Sequence, residues 1–209
     1  MDSNKHTEYR NEVAYWMRRL YARGLTTCSG GNISLKSGEF IYLTASQSDK
    51  ARIRAGNICI LTPDGENVCP ELKPSIETGM HLAVYNSNPA VQAIVHAHPE
   101  NLSMLSCLNQ PVKNVFTGEQ RFILGEIGTA VYKIMGSKAL AEEVAFLTQS
   151  HRAVIMQNHG AITVGKNLFE AFDRMEVFER LASQVLFSLQ KPPIRVLSET
   201  EIRDIDLFK

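Results

Sequence analysis

The chain has 209 residues, of which 44 % are hydrophobic and 21 % are charged, and these proportions are typical of a globular protein with one substantial core. Lysine plus arginine and aspartate plus glutamate number 22 each, which argues against binding to nucleic acid or to an anionic membrane through an overall electrostatic field. No apolar run approaches the roughly 20 residues that cross a bilayer, and neither a secretion signal nor a CxxC pair is present. These features predict a soluble, cytoplasmic protein whose cysteines are reduced.

The first third of the chain predicts one helix followed by strands. Apolar residues at spacings of three and four predict an amphipathic helix over about residues 7–23. Residues 32–35 and 40–43 then have strand character, and the pair Ser37-Gly38 between them is typical of a hairpin turn. A further strand is expected over residues 59–61.

The remaining two thirds alternate helices with short strands. Pro74 and Ser75 predict the start of a helix that has Ser75 as its N-cap and ends at Asn88-Pro89. Later elements are expected as a strand over 91–95, a helix over 101–107, a helix capped by Ser137, strands over 153–156 and 161–164, a long amphipathic helix over 168–185, and a short capped helix in the segment 196–202. The alternation, without any repeat or flexible linker, predicts a single α/β domain with a mixed central sheet over residues 1–209.

Three histidines are candidate metal ligands. His96 and His98 end an apolar strand two residues apart, so their side chains share one face of the sheet. His159 lies beside Gly160 in a turn between two apolar strands and is the best candidate for a third ligand, because catalytic Zn²⁺ commonly takes three protein ligands and keeps one position open. The alternative is that the first two imidazoles are simply hydrogen-bonded at a strand end.

Glu77 and a glycine turn add an acid and an anion pocket to this set. Glu77 lies in the first turn of the predicted helix, where it can serve as a proton carrier or merely complement the helix dipole. His81 follows on the same helix and is expected to have a structural or supporting role. The turn around Gly31 lets backbone amides approach an anion, although a plain turn has the same composition.

Four motifs occur in an order and spacing that closely resemble the class II aldolase/adducin family. They are residues 29–34 (SGGNIS), 73–81 (KPSIETGMH), 95–99 (VHAHP) and 158–161 (NHGA). The resemblance covers a core of about residues 8–190 and leaves a short tail at 191–209. It implies an α/β sheet flanked by helices on both faces, assembled as a homotetramer with active sites at subunit boundaries.

The resemblance also implies roles for individual residues. Glu77 corresponds to the catalytic acid/base, and one Zn²⁺ per subunit, or another divalent metal, is implied as the cofactor. The implied metal ligands are His96, His98 and His159, and the implied binding residues for the substrate phosphate are Gly31, Asn32, Ser46 and Ser75. Gln47 departs from the family, where a glycine usually follows the residue at position 46. Ile76 stands where some relatives have a serine, and Ser46, Ser48 or Lys50 would have to compensate for the missing hydroxyl donor.

The implied activity is that of a zinc-dependent aldolase. It would cleave a ketose 1-phosphate of the L-fuculose 1-phosphate kind to dihydroxyacetone phosphate and an aldehyde, with the metal stabilising the enediolate. Sugar-phosphate 4-epimerases, 3-oxo-tetronate 4-phosphate decarboxylases and methylthioribulose-phosphate dehydratases resemble the sequence as well. A non-catalytic, adducin-like module is the third alternative, against which the intact histidines and Glu77 argue.

Overall fold

Seven short strands form one mixed sheet in the computed structural model, which describes residues 3–108, 112–113 and 116–208. The strands are β1 Asn32–Ser37, β2 Phe40–Thr44, β3 Ile58–Leu61, β4 Ala93–Ala97, β5 Ile127–Ala130, β6 Ala153–Met156 and β7 Gly160–Gly165. Their order across the sheet is β3-β2-β1-β4-β7-β6-β5. Only the pair β5 and β6 is parallel among these described strands, so the prediction of a mixed sheet is confirmed.

Helices cover both faces of the sheet. They are α1 Ser3–Ala22, α2 Thr78–Ser87, α3 Glu100–Ser106, α4 Gly118–Leu124, α5 Lys138–Leu147, α6 Leu168–Ser188 and α7 Glu199–Leu207. One hydrophobic core joins α1, α3 and α6 to the sheet, and a second core joins α2 and α5 to the opposite face. Side chains alternate between the two faces along β4, so Val95 packs in the first core and Ile94 packs in the second.

Most predicted elements are present, with ends displaced by a few residues. The hairpin of β1 and β2 and the long helix α6 lie where the apolar patterns predict them, and α7 carries the expected capping box between Ser198 and Glu201. The predicted strand over 91–95 is displaced to Ala93–Ala97, because Val91 still belongs to a turn that its amide closes on the Asn88 carbonyl. No sequence pattern predicts α4 and β5, which are short and have no clear apolar period.

The predicted start of α2 is wrong. The chain stays extended at Pro74, which forms an isolated bridge with Ala45, and the helix begins only at Thr78. Ser75 is therefore not the N-cap; Glu77 occupies that position, and its carboxylate makes no capping hydrogen bond. This bridge to the residue that follows β2 overrides a local sequence that is typical of a helix start, and the Glu77 carboxylate contacts other groups instead of capping the helix.

Two expectations about the cysteines and membranes can be compared with the structure. All four cysteines are free thiols, as expected. None of the helices in the described part of the chain has both the length and the apolar character needed to span a bilayer.

Candidate active site

The pairing of β1, β4 and β7 brings the predicted site residues together. Asn32 at the start of β1 pairs directly with His96 near the end of β4, and both side chains point towards α2. His98 follows β4 immediately, and His159 lies in the turn that leads from β6 into β7. Because β7 pairs with β4 through Ala97 and Ala161, the two histidine-bearing segments end side by side.

Glycines permit the close approach of these segments. A Cβ atom on Gly160 would lie 2.6 Å from both the Ala97 carbonyl oxygen and His98 Cδ2. Gly31 has a φ of +66°, and a Cβ there would lie 2.8 Å from the His96 carbonyl oxygen. A side chain at either position would displace the strand end that carries the imidazoles.

The three histidines form a compact cluster, as predicted. One ligand atom from each of His96, His98 and His159 lies within 4.8 Å of the others. The Nε2 atoms of His96 and His98 are 3.1 Å apart, and the ring centres of His96 and His159 are separated by 5.0 Å. His96 is fully buried, whereas the other two are partly buried at the edge of a cavity.

Glu77 lies against the same cluster. Its Oε2 atom is 3.0 Å from His96 Nε2, and its Oε1 atom is 3.2 Å from His159 Nε2. Burial by itself raises the pKa of Glu77, but the facing His96, together with His159 and Asn32, lowers it well below the usual range of a carboxyl group. The carboxylate is therefore ionised at neutral pH.

The donor set fits a divalent cation. His96 Nδ1 lies 2.9 Å from the Ala161 carbonyl oxygen, which can only accept, so Nδ1 carries the proton. Burial disfavours the charged form of His96, but the facing Glu77 carboxylate and the Ala161 carbonyl raise its pKa, so a proton on Nε2 faces the carboxylate when no cation is bound. A cation would replace that proton and take the neutral imidazole as its ligand. Burial and the neighbouring imidazoles of His96 and His159 lower the pKa of His98 to about 3, which keeps it in the neutral form that metals bind.

A chain of hydrogen bonds between buried side chains extends from Glu77 through Asn32, His81 and Ser34 to Tyr85. Asn32 Nδ2 donates to Glu77 Oε2 at 2.9 Å, and Asn32 Oδ1 accepts from His81 Nε2. His81 Nδ1 must then accept from the Ser34 hydroxyl at 2.6 Å, and Ser34 accepts in turn from Tyr85 at 2.7 Å. The supporting role expected for His81 agrees with this arrangement, and His81 is not part of the ligand cluster.

Ser34 and Tyr85 are site residues that the sequence patterns did not identify. Ser34 is two residues from Asn32 on the same face of β1, between the buried residues Ile33 and Leu35. A polar residue in an otherwise apolar strand is the signal that could have identified it. Tyr85 offers no comparable signal, because an aromatic residue on a buried helix face is ordinary core.

The four residues expected to bind phosphate line one cavity of about 360 Å³ together with Glu77. These four residues are Gly31, Asn32, Ser46 and Ser75. The cavity wall also contains His98 and His159. Ser75 Oγ lies 3.2 Å from Asn32 Nδ2 and accepts a hydrogen bond from the Glu77 amide at 3.2 Å. Gln47, which stands where the family usually has glycine, has a φ of +54°, so the loop keeps the left-handed conformation that favours glycine.

The chain is similar to known proteins over most of its length. The family model for the class II aldolase and adducin N-terminal domain matches residues 11–186. The 3-oxo-tetronate 4-phosphate decarboxylase of Haemophilus influenzae is 33 % identical over 194 residues, which cover 90 % of this chain and 91 % of the relative. The L-fuculose phosphate aldolase of Methanocaldococcus jannaschii is 34 % identical over 172 residues, which cover 82 % and 92 %.

Solved structures share the whole architecture. YgbL from Escherichia coli, described as a candidate aldolase/epimerase/decarboxylase, superposes with a TM-score of 0.89 at 30 % identity, covering 96 % of this chain and 98 % of YgbL. An L-fuculose 1-phosphate aldolase superposes with a TM-score of 0.88 at 28 % identity, covering 97 % and 96 %. The sequence resemblance is thereby confirmed over nearly the full length, and the chain belongs to the class II aldolase/adducin family.

Proposed function

We propose that the protein is a zinc-dependent lyase that cleaves a ketose 1-phosphate of the L-fuculose 1-phosphate kind to dihydroxyacetone phosphate and an aldehyde. The observation that carries this proposal is the buried carboxylate of Glu77, 3.0 Å from His96 and 3.2 Å from His159, in a cavity that is also lined by the residues expected to bind phosphate. The archaeal relatives named L-fuculose phosphate aldolase support this substrate class.

In this proposal His96, His98 and His159 hold the ion through their Nε2 atoms. When bound, the ion supplies a Lewis acid beside the carbonyl group of the substrate. Glu77 acts as the proton carrier: it accepts the proton of the hydroxyl group on carbon 4 while the bond between carbons 3 and 4 breaks, and it returns a proton to carbon 3 of dihydroxyacetone phosphate. The carboxylate starts in the ionised form, which is the form that can accept a proton.

The phosphate group would be bound in the same cavity, next to the histidines and Glu77. Gly31, Asn32, Ser46 and Ser75 belong to its wall. Both N–H groups of the Asn32 side-chain amide donate hydrogen bonds, one to Glu77 at 2.9 Å and one to Ser75 at 3.2 Å. The bond to Ser75 is the longer one and joins two neutral groups, so a phosphate oxygen would replace Ser75 as the acceptor of this N–H while the other N–H keeps its bond to Glu77.

Decarboxylation is the second candidate, and one observation favours it. The decarboxylases of Haemophilus influenzae and Escherichia coli match 90 % and 94 % of the chain, whereas the archaeal aldolases match 78–82 %. Loss of CO₂ from 3-oxo-tetronate 4-phosphate also gives dihydroxyacetone phosphate, since the bond that breaks is again one carbon away from the ketone. The two reactions need the same proton return by Glu77 and differ in the fragment that leaves.

The deciding experiment measures dihydroxyacetone phosphate and the second product separately. Zinc-loaded and chelator-treated protein would be incubated with L-fuculose 1-phosphate and with 3-oxo-tetronate 4-phosphate, and His159→Ala would serve as a metal-site variant. Zinc-dependent release of dihydroxyacetone phosphate and aldehyde supports the aldolase. Release with CO₂ but without aldehyde supports the decarboxylase, and no release from either substrate contradicts both.

The proposal includes a homotetramer with the cavity near a subunit boundary. Large apolar side chains are exposed beside the cavity at Ile76, Tyr132, Ile134 and Met135. Ile76 and Met135 belong to the cavity wall itself. Exposed apolar residues that adjoin one another in this way are typical of surfaces covered by another subunit.

A further inference from the structure

Lys50 is a buried cation in the wall of the candidate active site. Only 2 % of its surface is exposed, and it lines the same cavity as Gly31, Ser46 and Glu77. Its backbone amide donates to the Cys28 carbonyl at 2.9 Å, which ties it to the segment that leads into the glycine turn. Among the described residues around this cavity, Lys50 is the sole lysine or arginine.

The ammonium group of Lys50 has only neutral partners. Its Nζ atom donates to the Ser48 hydroxyl at 3.0 Å and to the Ala45 carbonyl oxygen at 3.3 Å. An ammonium has three N–H donors, so these contacts leave one of them for another acceptor. No carboxylate in the described part of the chain forms an ion pair with Lys50.

Two candidate carboxylates, Asp49 beside Lys50 in the chain and Glu77 in the same cavity wall, are engaged elsewhere. Asp49 accepts from the Ala51 amide at 3.0 Å and lies 3.8 Å from Arg52. Glu77 is engaged by Asn32 and the histidines. Burial without a counter-ion lowers the pKa of Lys50 to about 8. Lysines are rarely buried unless they are paired, and this one is positioned to gain its counter-ion from a ligand.

We propose that Lys50 binds the phosphate group of the substrate and makes the cavity selective for phosphorylated over unphosphorylated sugars. This inference rests on the proposed function, since it assigns the charged partner of the same substrate. Ser46 and Ser75 supply hydroxyl groups and Gly31 a backbone amide, but these residues carry no charge. Lys50 supplies the positive charge that a phosphate dianion needs when it leaves water, and its bond to Ser48 holds the ammonium at the cavity wall.

The test compares Lys50→Met and Lys50→Arg with Lys138→Met, which changes an exposed lysine on α5. Circular dichroism and zinc content first establish that each variant is folded and loaded. Calorimetry then measures binding of inorganic phosphate to the zinc-loaded proteins, so the result does not depend on which reaction is catalysed. We expect Lys50→Met to weaken phosphate binding at least tenfold, Lys50→Arg to retain part of it, and Lys138→Met to bind as the unchanged protein does.

Steady-state kinetics with a sugar phosphate that the protein converts provide the second measurement. We expect Lys50→Met to raise KM at least tenfold with a smaller effect on kcat, as removal of a binding contact should. Unchanged phosphate affinity in Lys50→Met, or a loss of kcat with KM unchanged, would overturn the assignment. If phosphate binds in a Lys50-dependent manner but no sugar phosphate is cleaved, the anion site stands and the proposed function fails.

Discussion

At the scale of single residues, Glu77 is the group on which the buried polar side chains converge. Asn32 holds one oxygen of its carboxylate, and the imidazoles of His96 and His159 face the two oxygens. Its Oε1 atom has no aligned hydrogen-bond donor among the described residues, although His159 Nε2 is 3.2 Å away. A buried carboxylate oxygen without a donor is costly unless a cation or substrate hydroxyl binds there, so the site is built for a ligand.

Replacing Glu77 with glutamine tests the proton-carrier role. The amide keeps the shape of the side chain but cannot move a proton, so kcat should fall by about 10²–10⁴-fold while the fold and most of the bound zinc are retained. Turnover and metal content would be measured beside Glu66→Gln, which changes an exposed glutamate outside the site. Near-normal turnover in Glu77→Gln would remove this residue from the chemistry.

The buried His81 gives a prediction about pH. Burial, and then the nearby His96, lower the pKa of His81 to about 3, compared with 6.5 when it is unfolded. Between these values the unfolded chain binds the additional proton, so the free energy of unfolding must fall as the pH decreases from 6.5 towards 3. His81→Gln removes this contribution of about 1.4 kcal/mol per pH unit. Denaturant titrations of chelator-treated protein at pH 4, 5 and 6 would measure it, and parallel curves for both proteins would contradict it.

At the scale of elements, the register of the sheet determines which residues meet. Strand alternation in the sequence predicted that His96 and His98 share a face, and the structure agrees. The pairing of Asn32 with His96 depends on contacts between distant segments, so no local pattern could predict it. The start of α2 was mispredicted for the same reason, since the bridge of Pro74 to Ala45 is a tertiary contact. The roles expected of the other site residues rest on the family resemblance.

Gly160 allows β7 to approach His98, and its substitution should damage the metal site without a change in any ligand. A Cβ atom at this position would lie 2.6 Å from both the Ala97 carbonyl oxygen and His98 Cδ2, so Gly160→Ala must shift the imidazole. We expect zinc affinity to fall at least tenfold, since a displaced His98 imidazole would no longer converge with His96 and His159 on one ion.

Gly79→Ala is the matched control for this change. Gly79 lies in α2 close to Glu77, but a Cβ atom there would meet nothing within 4 Å. Alanine should therefore stabilise the helix by up to about 1 kcal/mol and leave zinc affinity unchanged. Equal zinc affinities for the two variants, measured by competition with a chelating dye, would contradict the steric argument.

At the scale of the whole molecule, the cavity opens beside an apolar surface that the single chain does not cover. The loop between β5 and α5 exposes 59 % of Tyr132, 70 % of Ile134 and 61 % of Met135, and Ile76 on the other side of the cavity is 59 % exposed. A Cβ atom on Gly136 would lie 2.9 Å from the Ile76 carbonyl oxygen, so the loop lies directly against this segment. Helix periodicity could not have predicted this surface, because the exposed residues belong to loops.

The proposed tetramer makes Ile134 a decisive position. A glutamate there would bring an unpaired charge into the contact between subunits, whereas in a monomer it would remain in water at little cost. We therefore expect Ile134→Glu to raise the dissociation constant of the assembly at least tenfold, with retained folding of each chain. Analytical ultracentrifugation would measure this beside Val68→Glu, which changes an exposed apolar residue outside the surface formed by Ile76, Tyr132, Ile134 and Met135. If both variants sediment as the unchanged protein does, or if that protein is itself a monomer of 23.3 kDa, this surface is not a subunit contact.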